Sequence, residues 1–301
     1  MIACGMSIAP REELHDNRIR AQCGWHADLL RAPGAGTPIL FLHEFAGDMS
    51  NWDVQVADLG ANHLCLRFNA RGYPPSEVPE PGRYSQQRAV EDAIAVLDAV
   101  GVERAHLVGS SMGGYTALNI ATTLPRRVLS TTVAACGLGS DPTTRTRFAA
   151  EYQALSEALR NRGWAAIAED YCRSPNRIRL LEKDDTAWRA FRNALTGHSS
   201  DGCASTIDGV QLTRPSLEHL IPRLARHPLP LLIISGDDDD GLMDVNLWMK
   251  RTVPGAAWAV FPRTGHATNL EEPRLFVDTI RRFISSVDNP VVDPPVFDEH
   301  V

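Results

Sequence analysis

The chain has 301 residues, of which 44% are hydrophobic and 22% are charged, and its formal net charge is −7. This composition is typical of a soluble globular protein with a sizeable core. The negative charge argues against nucleic acid as the main partner. No apolar run approaches the ~18 residues of a membrane span, and the N-terminus lacks a secretory apolar segment. We therefore expect a cytoplasmic protein without a membrane partner, either a monomer or a homodimer.

The cysteines give no sign of a metal site or of a disulfide framework. No two of them form a C-x-x-C pair, and none stands with histidines at zinc spacing. We expect reduced thiols. The six cysteines are Cys4, Cys23, Cys65, Cys136, Cys172 and Cys203.

Short apolar runs alternate with amphipathic stretches along most of the chain. The runs predict buried strands, and apolar residues at three- and four-residue steps predict helices. Strands are predicted over residues 19–23, 26–32, 39–42, 64–68, 106–108, 128–134, 231–234 and 258–261. Helices are predicted over residues 51–59, 86–100, 115–124, 245–251 and 273–286.

This alternation predicts an α/β fold with a mostly parallel central sheet and helices on both faces. Strand-like runs are missing from residues 137–226, which we interpret as a helical lid; the alternative is a further part of the core layer. Residues 1–136 and 227–287 then form the two parts of the core domain, and residues 288–301 form a flexible C-terminal tail. Sites in such sheets form beyond the carboxyl ends of the strands.

A candidate nucleophile lies at one of these strand ends. The strand over residues 106–108 leads into Gly109-Ser110-Ser111-Met112-Gly113, and a helix follows. A serine raised on a tight, strained turn needs small residues two positions before and two positions after it. This requirement selects Ser111, because a frame centred on Ser110 would place Val108 and Met112 at the small positions. A purely structural Gly/Ser turn is the alternative.

A serine hydroxyl needs an imidazole to accept its proton and a carboxylate to orient that imidazole. A tight turn between a strand and a helix that carries such a serine is called a nucleophile elbow. In proteins with this elbow, the acid follows the serine along the chain and the histidine follows the acid. His266 comes directly after the strand over residues 258–261. Four acids follow the strand over residues 231–234, namely Asp237, Asp238, Asp239 and Asp240. We expect one of them to be buried against a histidine and the others to be exposed; a calcium site lacks the EF-hand spacing.

These motifs resemble those of the α/β-hydrolase superfamily over nearly the whole chain. The resemblance implies a serine hydrolase with a Ser-Asp-His triad, similar to esterases and lactonases, acting on a small molecule without cofactor or metal. The motifs that carry it are His43-Glu44-Phe45-Ala46-Gly47, Arg71-Gly72-Tyr73-Pro74-Pro75-Ser76, the elbow, Ser235-Gly236-Asp237-Asp238-Asp239, and Gly265-His266 before Leu270-Glu271-Glu272-Pro273.

The resemblance assigns a role to each matching residue. Ser111 is implied as the nucleophile, His266 as the base and Asp239 as the acid, with Asp240 the nearest competitor of Asp239. The backbone N–H groups of Phe45 and Met112 are implied as the oxyanion hole. His43 is implied as a support of the loop that carries Phe45.

Glu44 departs from the family pattern, in which glycine is usual. It is expected to face solvent or to pair with Arg71, and a catalytic role is the alternative. Trp164 and Trp188 are candidate substrate-pocket residues together with Glu44. Three arginines of the lid could attract an acidic substrate or simply form solvated helix faces: Arg173, Arg177 and Arg179.

The leading functional hypothesis is hydrolysis of a small carboxylic ester or lactone. Hydrolysis of a carbon–carbon bond in a β-diketone or ring-cleavage product uses the same three residues and is the first alternative. A cofactor-free dioxygenase is a further possibility on this scaffold. A non-hydrolytic ligand-binding or receptor protein is the alternative from another class.

Overall fold

A computed structural model describes residues 17–20, 26–175 and 177–290. Its eight strands form one sheet in the order β1-β2-β4-β3-β5-β6-β7-β8. The strands are β1 (Asn17–Arg20), β2 (His26–Pro33), β3 (Gly36–Leu42), β4 (His63–Phe68), β5 (Ala105–Ser110), β6 (Val128–Ala134), β7 (Leu231–Gly236) and β8 (Ala257–Phe261).

Six of these strands, β4 to β8 together with β3, run parallel, whereas β1 and β2 pair antiparallel at one edge. The mostly parallel sheet is therefore confirmed. The first predicted strand, residues 19–23, begins earlier, at Asn17, and residues 21–25 lie outside the described residues. Every residue of β5 and β7 is buried, because helices cover both faces of a parallel sheet.

The side chains of β3 show how the two faces are covered. Leu40 and Leu42 join one apolar cluster and Ile39 and Phe41 join another, since successive side chains of a strand point to opposite faces. Helices α2 (Gln86–Ala99), α3 (Met112–Thr123) and α10 (Met243–Thr252) contribute to the first cluster. Helices α1 (Asp53–Leu59) and α12 (Pro273–Asp288) contribute to the second, and the short α11 (Thr268–Glu271) directly precedes α12.

The chain between β6 and β7 is helical, and no strand occurs in the described part of residues 137–226. Its side chains form a third apolar cluster, which Phe45 and Met112 of the core join. The last helix of this segment does not belong to the third cluster. Its buried leucines pack in the first cluster, against α3. The helices are α4 (Pro142–Arg162), α5 (Trp164–Cys172), α6 (Ile178–Lys183), α7 (Asp185–Leu195), α8 (Ser200–Thr206) and α9 (Leu217–Arg226).

The C-terminal tail is predicted to begin at residue 288, but this residue still belongs to the last helix. Asp288 is the last residue of α12, and its carboxylate accepts a hydrogen bond of 2.6 Å from Thr37 Oγ1. It also lies 3.1 Å from Nε2 of the buried His106. This contact holds the end of α12 against the sheet. Residues 291–301 of the predicted tail lie outside the described residues.

Four cysteines are described, and all four are unpaired and buried: Cys65, Cys136, Cys172 and Cys203. The other two lie outside the described residues. Over the described ranges, none of the helices is both long and apolar enough to cross a membrane.

Candidate active site

Ser111 occupies a strained backbone position between β5 and α3. Its φ of 48° and ψ of −107° lie in a region that residues other than glycine rarely adopt. The Ser111 amide donates to the Ala134 carbonyl at 2.8 Å, and its carbonyl accepts from the Tyr115 amide. These hydrogen bonds hold the turn, and the side chain of Ser111 is partly exposed. Ser110 is buried instead, which agrees with the selection of Ser111.

Two glycines permit this turn. A Cβ atom on Gly109 would stand 2.3 Å from the Gly113 carbonyl oxygen, and one on Gly113 would stand 2.1 Å from the Leu42 carbonyl oxygen. Neither contact is possible for real atoms, so both positions require glycine. The small-residue rule that selects Ser111 thus has a steric basis: α3 packs directly on the ends of β5 and β3.

Asp239 and His266 form a buried hydrogen-bonded pair. Asp239 Oδ2 lies 2.6 Å from His266 Nδ1, and each residue is 4% exposed. Asp239 comes three residues after β7 and His266 five residues after β8, so both lie at the carboxyl edge of the sheet, as Ser111 does. The other three aspartates of the run are exposed, as expected.

The ring of His266 carries a raised pKa. Burial alone lowers the pKa of His266, but the charge of Asp239 and its hydrogen bond outweigh burial and raise the pKa above its ordinary value of 6.5. Two further charged residues change the pKa of His266: Arg177 lowers this pKa and Glu44 raises it. Asp239 therefore favours the imidazolium form that a general base passes through.

Among the described residues there is no hydrogen bond between the Ser111 hydroxyl and the imidazole of His266. Hydrogen bonds of this kind are often long in a free enzyme and tighten when substrate binds.

The turn that carries His266 is held by Glu271. The buried Glu271 carboxylate accepts hydrogen bonds from the Gly265 amide at 2.6 Å and from the Ala267 amide at 3.0 Å. The Asp238 amide also donates to the Thr264 carbonyl, which joins the acid loop to the histidine loop. Glu271 belongs to a motif noted in the sequence, but its role as the acceptor for both peptides beside His266 was not predicted.

His43 joins two loops at the ends of β3 and β4. Its Nε2 accepts a hydrogen bond from the Ala70 amide at 2.9 Å, so its Nδ1 carries the proton and donates to the Glu44 carbonyl at 2.8 Å. Burial lowers the pKa of His43, which agrees with this neutral form. Both nitrogens are therefore engaged, and the contacts agree with the expected role of His43 as a support.

The loop after β3 carries the amide of Phe45. Ala46 has a positive φ of 64°, and its amide donates to the Tyr73 hydroxyl at 3.3 Å. The Phe45 amide donates no hydrogen bond to any group within the described residues. Met112 is the first residue of α3, where an amide has no acceptor within its own helix. Both proposed oxyanion donors are thus available.

Glu44 neither faces solvent nor pairs with Arg71, so the expectation from the sequence was wrong. It is 2% exposed, and it pairs with Arg177 through Nη1–Oε1 and Nη2–Oε2 distances of 3.1 and 2.6 Å. Arg71 instead binds Asp92 with two hydrogen bonds of 2.6 Å. No sequence signal connects residues 44 and 177, because the pair forms only when the helical segment packs over the loop.

The three arginines of the helical segment have different environments. Arg173 and Arg179 form partly exposed ion pairs with Glu169 and Glu182, as solvated helix faces would. Arg177 is buried, and its guanidinium lies close to the rings of Tyr171 and Phe191. Lys183, at the end of α6, donates to Thr264 Oγ1 at 2.9 Å and thereby contacts the histidine loop.

Both tryptophans singled out in the sequence are buried in the helical segment. The ring of Trp164 lies 6.4 Å from that of Phe45, measured between centroids. The Trp188 indole donates to the Cys172 carbonyl at 3.0 Å. Trp164 therefore packs near Phe45, on the loop after β3 that we call the oxyanion loop. Trp188 instead contacts another residue of the helical segment. A role for either in binding substrate stays a prediction.

A cleft of about 500 Å³, part of it open to solvent, lies beside Met112 and Gly113. Its lining is mainly apolar, and the paired Arg71 and Asp92 form part of its wall. The other lining residues are Leu42, His43, Phe68, Ala70, Tyr84, Ser85, Ala89, Thr116, Thr206 and Val210. No three His, Cys, Asp or Glu side chains within the described ranges are placed to share a metal ion.

Comparison with known proteins identifies the family. Residues 32–279 match the alpha/beta hydrolase family. The chain is 25% identical to 3-oxoadipate enol-lactonase 1 of Acinetobacter baylyi over 260 residues, which cover 86% of this chain and 92% of the relative. It is 27% identical to a 2-hydroxymuconate semialdehyde hydrolase of Pseudomonas putida over 218 residues, which cover 72% and 75%.

A solved structure has the same fold. The thermophilic esterase of Thermogutta terrifontis superimposes with a TM-score of 0.81 at 23% identity, and the match covers 91% of this chain and 99% of the esterase. The fold, the serine elbow and the family match agree with one another. The chain belongs to the alpha/beta hydrolase family.

Proposed function

We propose that the protein is a serine hydrolase that cleaves a small carboxylic ester or lactone through an acyl-enzyme on Ser111. The observation that carries this proposal is the buried 2.6 Å contact between Asp239 and His266, at the sheet edge where the strained Ser111 turn also lies. A buried carboxylate on one ring nitrogen leaves the other free to accept a proton. The two available amides of the oxyanion loop and α3 supply the third requirement of acyl transfer.

The reaction proceeds in two halves. Ser111 Oγ attacks the substrate carbonyl carbon while His266 Nε2 accepts the hydroxyl proton, and the Phe45 and Met112 amides bind the oxyanion that forms. The C–O bond to the leaving group then breaks, and His266 passes its proton to the leaving oxygen. In the second half, His266 takes a proton from water as the water oxygen attacks the acyl carbon. The bond from that carbon to Ser111 Oγ then breaks, His266 returns the proton to Oγ, and the acid leaves. Asp239 stabilises the imidazolium in both halves.

The helical segment serves as a lid in this proposal. It packs on Phe45 and Met112, and Lys183 and Arg177 connect it to the histidine and oxyanion loops. Such a cover excludes water and shapes the substrate site. The mainly apolar cleft reaches the candidate site at Met112, but Ser111, Asp239 and His266 are not among its lining residues.

The relatives support an ester or a lactone as the substrate, but they also support a second candidate function. One relative is an enol-lactonase, and another is a semialdehyde hydrolase, whose name fits the hydrolysis of a ring-cleavage product. The same three residues serve both reactions. We therefore keep carbon–carbon hydrolysis as the second candidate function.

A substrate panel tests the proposal. Short and long p-nitrophenyl esters, lactones of different ring size and a ring-cleavage dienoate are assayed side by side with wild type and Ser111→Ala. We expect turnover of esters or lactones with a burst of p-nitrophenol equal to the enzyme concentration, and no turnover by the variant. Turnover of the dienoate alone would establish the second candidate. Turnover of no substrate by folded protein would contradict both.

A further inference from the structure

Glu44 and Arg177 form a closed ion pair beside the candidate active site. Both carboxylate oxygens of Glu44 accept from the two terminal nitrogens of Arg177, at 3.1 and 2.6 Å. This two-point geometry is the one by which an arginine recognises a carboxylate ligand. The edge of Arg177 that could bind a substrate carboxylate in this way is therefore already occupied by the protein's own residue.

Two aromatic rings lie close to the guanidinium of Arg177. The central carbon lies 5.0 Å from the ring centroid of Tyr171 and 5.1 Å from that of Phe191. The side chains of Glu44 and Arg177 are only 2% and 7% exposed. The positive charge of Arg177 is thus compensated by Glu44 in a buried position beside two aromatic rings.

The pair is joined to the proposed oxyanion loop and lies near His266. Glu44 stands between His43 and Phe45, whose amide is the proposed oxyanion donor. The charges of both Glu44 and Arg177 act on the pKa of His266, in opposite directions. The pair is therefore within electrostatic range of the imidazole and is attached to the loop that would hold the substrate carbonyl.

We propose that Glu44 is a built-in counter-ion that occupies the carboxylate-binding edge of Arg177, so that the site selects esters and lactones whose acyl group ends in an uncharged group. This inference rests on the proposed hydrolase function. An anionic acyl group would have to displace Glu44 and leave a buried carboxylate unpaired, or lie beside it as a like charge. Either arrangement is strongly unfavourable in a buried site. A neutral acyl group meets neither cost.

The test compares two p-nitrophenyl esters of equal shape. Mono-p-nitrophenyl glutarate ends in a carboxylate, and p-nitrophenyl 5-methylhexanoate carries an isopropyl group in its place. For the wild type we expect kcat/KM to be at least 100-fold higher for the neutral ester. Equal kcat/KM values for the two esters in the wild type would overturn the proposal without any variant.

Two variants separate the role of Glu44 from a general preference for apolar chains. Glu44→Gln leaves the Arg177 charge available, so we expect the preference for the neutral ester to fall at least tenfold, through a gain on the glutarate ester. The double variant Glu44→Gln with Arg177→Gln removes that charge and is expected to regain the wild-type preference. An unchanged preference in folded Glu44→Gln would overturn the proposal, because a merely structural role cannot favour one ester over its isostere.

Glu182→Gln is the matched control, since it removes an exposed carboxylate from α6. Its preference should equal that of the wild type. If the wild type cleaves the neutral ester but Glu44→Gln leaves the preference between the two esters unchanged, only this inference is refuted. Cleavage of neither ester by folded wild type, with Ser111 unreactive toward a fluorophosphonate, refutes the proposed function as well.

Discussion

The carboxylate of Glu271 holds the backbone on both sides of His266. It accepts hydrogen bonds from the Gly265 and Ala267 amides, so one buried side chain determines where the imidazole points. Asp239, on the other loop, holds the imidazole ring itself: its Oδ2 lies 2.6 Å from His266 Nδ1. Catalysis by a serine depends on this placement, because a misplacement of about 1 Å can lower the rate about 100-fold.

Glu271→Gln tests this relationship. The glutamine offers one acceptor in place of two, so one buried amide loses its partner at a cost of about 1–3 kcal/mol in the free energy of unfolding. We expect kcat to fall by up to about 100-fold while KM changes little. Glu272→Gln is the neighbouring control, since Glu272 is partly exposed and binds Lys183 instead. Equal kcat values for the two variants would contradict this role.

The identity of the acid is tested within the aspartate run. Asp239→Asn should lower kcat on the order of 10⁴-fold without unfolding the protein, because the imidazole loses the charge that stabilises its protonated form. Asp238→Asn and Asp240→Asn remove exposed carboxylates and should retain most of the activity. Steady-state kinetics of the three variants, with circular dichroism for folding, decide the matter. A loss confined to Asp240→Asn would move the assignment by one residue.

The steric basis of the elbow predicts the effect of a single methyl group. Gly113→Ala would place Cβ 2.1 Å from the Leu42 carbonyl oxygen, so strand and helix must separate. We expect a loss of roughly 3 kcal/mol in the free energy of unfolding and a large loss of activity. Gly82→Ala is the control, because a Cβ there meets no atom within 4 Å. Equal denaturant midpoints for both variants would refute the packing argument.

The pH profile follows from the raised pKa of His266. The base must be neutral to accept the Ser111 proton, so kcat/KM should rise with pH through a midpoint above 6.5. In Asp239→Asn the residual activity should show a lower midpoint, because burial then acts without the opposing charge. The ion pair also stabilises the fold below about pH 6.5, and this contribution is lost as pH rises through the folded-state pKa. A wild-type midpoint well below 6.5 would contradict the assignment.

The sequence predicted those parts of the site that local rules determine. A tight turn needs small neighbours, which selected Ser111. The choice of Asp239 among four consecutive aspartates came instead from the resemblance to the hydrolase superfamily. The core strands were also predictable, because parallel strands covered on both faces are continuous apolar runs. For β3 to β8, every predicted end except the start of β3 lies within two residues of the observed end.

The remaining features depend on contacts between distant parts of the chain. Glu44 and Arg177 are separated by 133 positions, and only the packing of the helical segment over the oxyanion loop brings them together. The sequence therefore left Arg177 among three similar arginines and assigned Glu44 the wrong partner. The role of Glu271 could not be predicted from the sequence either, because the two hydrogen bonds that its carboxylate accepts depend on the shape of the turn around His266.

The central claim is that Ser111 is an activated nucleophile, and covalent labelling tests it most directly. The wild type is treated with a fluorophosphonate probe, and the modified peptide is identified by mass spectrometry. The account predicts one probe on Ser111, with no labelling of folded Ser111→Ala and much slower labelling of Asp239→Asn. A well-folded wild type that remains unlabelled, or one labelled equally in Ser111→Ala, would contradict the account.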